Sequence, residues 1–154
     1  IRVAKIMRII DLLQEENKEF WLAKISQADW PAAQFLHYLI KENKVHELLG
    51  LAKVLMLVEE DKLLSFCTLA EKDDIKNTTL SPWIGFVYTF PQYRGNRFMG
   101  LLIDETIKIA KKNGNKNIYI STNAIGLYEK YGFEFYQILK DLEEKDSRVY
   151  IKQI

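Results

Sequence analysis

Residues 87–100 read V-Y-T-F-P-Q-Y-R-G-N-R-F-M-G, and their order decides the fold. Val87, Tyr88, Thr89 and Phe90 are β-branched or aromatic, the residue types that fit a half-buried strand. Pro91 stops that strand because it has no N–H to give a ladder. Arg94-Gly95 then opens a long helix in which Phe98, Leu101, Leu102 and Ala110 share one face. A strand that turns straight into a helix aims unpaired N–H groups and a positive dipole end at whatever lies beyond. Such an end suits a phosphate. Gly95 lets the backbone approach a bulky anion closely, and Arg94 and Arg97 can add charge-assisted bonds. No Gly-Lys-Ser/Thr follows, so the turn is not a P-loop, and the absence of G-x-G-x-x-G excludes a dinucleotide fingerprint. A phosphate-bearing ligand at this turn is the favoured reading; the alternative is an ordinary strand–turn–helix with surface arginines.

Working outward, Asn113-Gly114 ends the helix as a C-cap. Residues 117–121 then read as a strand, 124–130 as a short helix, and 133–139 with 148–152 as a closing hairpin pair. Strand, helix and strand between 83 and 121 should form a right-handed parallel crossover. Upstream, 54–59 and 63–70 are apolar runs about a turn at Asp61, which predicts an antiparallel hairpin, and 71–79 is a polar loop. The first third reads as mostly helical. Residues 1–6 are expected as a short strand and 9–14 as the start of a helical stretch. Ser26-Gln27-Ala28-Asp29 has the form of a capping box, followed by Pro31 in a first turn and by Ala32, Phe35, Leu36, Leu39 and Ile40 at helical spacing. The fold class is α/β, with a mixed and mostly antiparallel sheet flanked by helices.

The 154 residues carry no repeat, low-complexity tract or linker, so a single domain over 1–154 is expected. A net charge of +1 gives no support to polyanion binding. The cluster Lys108, Lys111, Lys112 and Lys116 reads as cations complementing a helix C-terminus, and a nucleic-acid partner is not expected. No apolar run reaches the roughly 18 residues of a membrane span. The lone Cys67 excludes an internal disulfide and fits a reducing cytosol, so a cytoplasmic location is expected; in a strand it reads as a small buried hydrophobe. The chain opens on Ile rather than Met, so the gene product is expected to start upstream; what remains shows no signal peptide.

The stretch Pro91-Gln92-Tyr93-Arg94-Gly95 leading into its helix resembles the pyrophosphate-binding motif of GNAT N-acetyltransferases, [QR]-x-x-G-x-[GA]. Gln92 and Gly95 match; Arg97 departs, standing where Gly or Ala is usual. Residues 123–133, N-A-I-G-L-Y-E-K-Y-G-F, are similar to the family's N-x-x-x-L-Y-E-K-x-G-F signature. The two motifs cover about residues 80–140 at a spacing right for one helix and one strand. The resemblance implies that acetyl-CoA, with no metal, lies between two parallel strands that splay apart, here 83–90 and 117–121. Backbone groups of Val87 and Thr89, with Tyr88 between them, should bind the acetyl carbonyl and pantetheine arm. Gly95, Asn96, Arg97, Phe98, Met99 and Gly100 should wrap the pyrophosphate with Gln92 and Arg94, and Asn123 should hydrogen-bond near the thioester. Tyr128 matches the family's general acid, which protonates the leaving thiolate; its bland alternative is a core aromatic.

Many members place a Glu on the first splayed strand, but no carboxylate stands at 83–90. Asp73, Asp74 and Glu71 in the preceding loop, His37 and His46 in the helical region, or a water relay are the alternatives for the base. Trp30, Trp83, Tyr38 and Phe66 are aromatic enough to line an acceptor pocket, Trp83 best placed among them, with core packing the default for each. An amine acceptor and acetyl-CoA are thus the expected partners, and the oligomeric state stays open between monomer and homodimer. Two other readings compete: an acyl-CoA sensor or interaction module without turnover, and a nucleic-acid-binding α/β domain with steeply salt-dependent affinity.

Overall fold

Alternation along the strands divides the interior into two layers. In β2 (Ala52–Glu59), Leu55 and Leu57 turn to one face, and Val54, Met56 and Val58 to the other; all five are buried. The first face packs under α4 (Phe98–Lys112), which contributes Leu102, Ile103 and Ala110. The second packs under α1 (Lys18–Ile25) and α2 (Pro31–Lys41), which contribute Trp21, Ile25, Ala33 and Leu36. Each fully buried Leu or Ile stabilises by about 1.5–3 kcal/mol, so these stripes hold the helices to the sheet. A short α3 (Val45–Leu49) leads into β2.

This computed structural model describes residues 6–154. Besides β2, the sheet contains β1 (Met7–Asp11), β3 (Lys62–Ala70), β4 (Trp83–Thr89), β5 (Asn117–Ser121), β6 (Glu134–Lys140) and β7 (Asp146–Gln153). Their order is β1-β2-β3-β4-β5-β7-β6, antiparallel throughout except for the parallel pair β4 and β5. The crossover through α4, the hairpin β2–β3 and the mixed sheet agree with the sequence reading, as does Gly114 at φ +86° just past α4. Among the described residues no helix is long and apolar enough to cross a membrane.

Three local expectations are corrected, and a fourth, the strand expected over 1–6, lies outside the described residues except for Ile6, which precedes β1. The helical stretch expected over 9–14 is the second half of β1 and a 3-10 turn, Leu12–Gln14; pairing of Ile9 with Leu57 overrides the helical spacing. Ser26 caps nothing ahead of it, because its hydroxyl donates back to the carbonyl of Ala23, and Trp30 stands at the N-cap of α2 with Pro31 first inside. The short helix expected over 124–130 is an irregular loop followed by a 3-10 turn, Glu129–Tyr131, with Gly126 at φ +86° inside it.

The loop between β3 and β4 is tied to the turn between β6 and β7. The Leu142 N–H donates to the Asp74 carbonyl (2.8 Å) and the Lys76 N–H to the Lys140 carbonyl (3.2 Å). Ile75 bridges Asp141, and Lys76 pairs with Glu144.

Candidate active site

The parallel ladder is two rungs long. Trp83 pairs with Tyr119 and Ile84 with Ile120, and beyond them β4 stays with β3 while β5 stays with β7. A bulge drives the strands apart: Phe86 and Val87 together oppose Cys67, and Phe86 takes φ 51°. A bulky residue there costs about 1–3 kcal/mol, which the surrounding sheet offsets. Tyr128 closes the bottom of the gap, buried edge-on to Phe133. Burial, with Cys67 and Tyr131 nearby, holds its phenol far above the ordinary tyrosine value, so its proton stays on at every physiological pH.

A groove of about 500 Å³, which shares Val87 with the cavity that Tyr128 lines, runs past Tyr88 and Thr89 to Arg94, Gly95, Arg97, Phe98 and Met99. The helix begins later than expected. After Pro91 come a 3-10 turn (Pro91–Tyr93) and the turn at Arg94-Gly95, and α4 starts only at Phe98. Arg97 is its N-cap, in the left-handed region (φ 60°, ψ 27°), and no side chain caps the first turn. Its first N–H groups therefore face the groove without an internal partner. Gly95 has φ +84° and open space where a β-carbon would stand. Arg94 is partly committed elsewhere: its Nε donates to the Thr89 carbonyl (3.0 Å), and its guanidinium lies over Tyr88.

Not every expected ligand residue lines this groove. Gln92 is exposed on the 3-10 turn, and Asn96 donates its Nδ2 to the Tyr93 carbonyl (2.9 Å). Gly100 makes room for Tyr131, whose ring edge would lie 3.1 Å from an added β-carbon. Asn123 is exposed, and its Oδ1 accepts from the Arg148 N–H (3.3 Å), fastening the loop after β5 to β7. Lys130, quoted in the second motif but given no role, joins Arg94 and Arg97 in the groove, which no carboxylate among the described residues lines.

The cavity that Tyr128 lines, of about 310 Å³, is walled by Trp30, Phe35, Phe86 and Leu142, with Asp73 and Asp74 at its edge. Of the aromatic residues expected here, Trp30 is present and stacks on Tyr88. Trp83 is core instead: it is buried against Tyr119 and its Nε1 donates to the Leu80 carbonyl (2.7 Å). Phe66 is fully buried, and Tyr38 is exposed beside Lys44. Among the alternatives for the base, Glu71 accepts from the Leu51 N–H (2.6 Å) and the Nδ1 of His46 donates to the Gly50 carbonyl (2.9 Å); neither lines the cavity, nor does His37. Only Asp73 and Asp74 reach it. Burial, and then Asp74, push the Asp73 carboxyl well above the ordinary carboxylate range.

Comparison with known proteins gives one consistent answer. No curated protein matches the chain at a significant level. A GNAT-family protein of Desulfovibrio desulfuricans superposes with a TM-score of 0.72 at 15% identity, covering 96% of this chain and 99% of its own. An acetyltransferase of Streptococcus agalactiae gives 0.67 at 21% identity, covering 96% and 98%. A GNAT-family acetyltransferase of Elizabethkingia anophelis, solved with acetyl-CoA bound, gives 0.67 at 15% identity over the same shares. At these identities the likeness shows the fold. The model of the acetyltransferase (GNAT) family matches residues 6–133, most of the sequence, and with the splayed strands and open helix start in place the chain belongs to that family of acyltransferases.

Proposed function

We propose that the chain works as one domain that transfers the acetyl group of acetyl-CoA to a primary amine by direct attack in a ternary complex. The observation that carries this reading is the uncapped start of α4 beside the two-rung parallel pair. The diphosphate of coenzyme A would lie against the N–H groups of the first turn, with Arg97 and Lys130 adding charge. The fit is chemical as well as spatial, since among the described residues three cations and no acid line that groove. The solved neighbour holding acetyl-CoA supports the same ligand here.

The thioester would then reach Val87, where β4 has left β5 and a backbone N–H would bind the acyl oxygen. An N–H aimed at that oxygen stabilises the charge that grows as the amine attacks. Tyr128 lines the second cavity, which shares Val87 with the groove, and it is protonated, as a donor to the departing thiolate must be. Asn123 would act through the loop it fastens. The test is a panel of amines with acetyl-CoA, read as free thiol, on wild type and Tyr128→Phe. Wild type should release thiol, and Tyr128→Phe should lose about 10²–10⁴-fold in kcat with acetyl-CoA affinity unchanged. Binding of acetyl-CoA without thiol release for any amine would instead favour the sensor reading.

A further inference from the structure

Gly85 is a glycine for reasons of space rather than backbone shape. Its φ lies outside the left-handed region, yet a β-carbon there would sit 2.1 Å from Oδ1 of Asp73 and 3.0 Å from Oγ1 of Thr68. The Asp73 carboxyl thus occupies the place of a side chain on the splayed strand. Both of those oxygens are buried and neither has a hydrogen-bond partner among the described residues, while the carboxyl as a whole is hydrogen-bonded by the backbone and side chain of Asp74. Among the described residues no Lys, Arg or His pairs with Asp73. A buried carboxyl oxygen left without a donor is costly, and the Asp73 side chain lines the cavity, where a donor from outside can meet its carboxyl. The rest of the cavity is mainly apolar, walled by Trp30, Phe35 and Phe86, and Tyr128 lies at its inner end.

We propose that Asp73, seated in the gap that Gly85 leaves, receives the acceptor amine, and that the acceptor is a small primary amine with one cationic head on an apolar body. The proposal rests on the acetyltransferase reading above and names the substrate class of that site. The Asp73 carboxylate takes one proton from the bound ammonium and later gives it to water. The freed lone pair attacks the thioester carbonyl carbon, the C–N bond forms and the C–S bond breaks. Tyr128 gives its proton to the thiolate and recovers one from the new amide nitrogen. A carboxyl lifted by burial and by Asp74 is a better base for this step than a solvated one. The other titratable groups around it are Tyr128 across the cavity and Glu71, Lys72 and Lys76 about the adjoining surface pocket.

The experiment compares wild type, Asp73→Asn and Gly85→Ala with 2-phenylethylamine and acetyl-CoA, reading free thiol across pH and acetyl-CoA affinity by calorimetry. Asn is isosteric with Asp, and Gly85 has a backbone that Ala accepts, so both variants should fold. Each should lose at least about 100-fold in kcat/KM with acetyl-CoA affinity kept. Asp73→Asn should also abolish the acid limb of the wild-type pH profile, and the double variant should be no worse than either single one. If wild type acetylates 2-phenylethylamine and Asp73→Asn is as active, the role of Asp73 is overturned while the acetyltransferase reading stands. If wild type acetylates only polycationic or acidic amines, the substrate class is overturned. If no amine releases thiol although acetyl-CoA binds, both readings fall.

Discussion

Replacing Arg97 by Gly should stabilise the free protein and weaken its hold on coenzyme A at the same time. Arg97 has φ 60° and ψ 27°, where the β-carbon of an ordinary residue crowds the next carbonyl. That costs about 1–2 kcal/mol. Glycine escapes the clash but loses about 0.5–1 kcal/mol more in chain entropy, so the net gain is about 0–1.5 kcal/mol. For a chain of this size that raises Tm by up to about 6 °C. Arg97→Ala keeps the β-carbon and should gain nothing, so the difference between the two variants isolates the strain. Both lose the same charge. An exposed cation beside a phosphate contributes about 1 kcal/mol, hence about a fivefold rise in Kd for coenzyme A, shrinking in high salt. Scanning calorimetry on the free variants and titration with coenzyme A at two salt concentrations measure both effects. Melting of Arg97→Gly below wild type would refute the strain at Arg97, and binding of coenzyme A by both variants as tightly as by wild type in low salt would refute its role in the groove.

Other expectations concern the interior. Asp73→Asn should flatten the decline of stability with rising pH. With its folded value raised, Asp73 favours the native state below the ordinary carboxylate range, and that contribution is lost as pH rises through the folded value. Thermal melts of wild type and Asp73→Asn from pH 4 to 9 should therefore diverge at the alkaline end, the variant melting higher; parallel curves would contradict the burial argument. Cys67 is buried, and its thiol is pushed up to about 12 by desolvation, so iodoacetamide at pH 8 should label it only after unfolding. Leu102→Ala should cost about 2–5 kcal/mol by denaturant titration, because Leu102 is fully buried where α4 meets the sheet.

What could be read in the sequence was whatever depended on local pattern. Val54–Val58 alternates between two buried faces, and Asn113-Gly114 ends α4, so these elements follow from periodicity and cap chemistry alone. What escaped depended on distant partners. Ile9 and Ile10 have helical spacing with Leu13, but β2 recruits them as a strand. Gly95 looks like a helix opening, but the 3-10 turn and the left-handed Arg97 come first and α4 starts three residues later, at Phe98. The site shows the same division. Tyr128 and the Arg94-Gly95 turn are legible as motifs, yet Asp73 was one carboxylate among several until the fold set it against Gly85. A signal was present: a glycine inside a strand pattern marks a close approach by another part of the chain. Trp83 misled because its sequence position says nothing of the pocket of Ile75, Tyr119 and Val149 that buries it.

The ties between the Asp73 loop and the β6–β7 turn set an order of assembly. The turn at Gly95 and all of α4 leave the ribosome well before residues 140–144, which pin that loop. A growing chain can thus form α4 while the Asp73 loop still lacks its brace. The last hairpin is that brace, so shortening its tip should slacken the loop that seats the carboxyl at Gly85 while leaving the start of α4 in place.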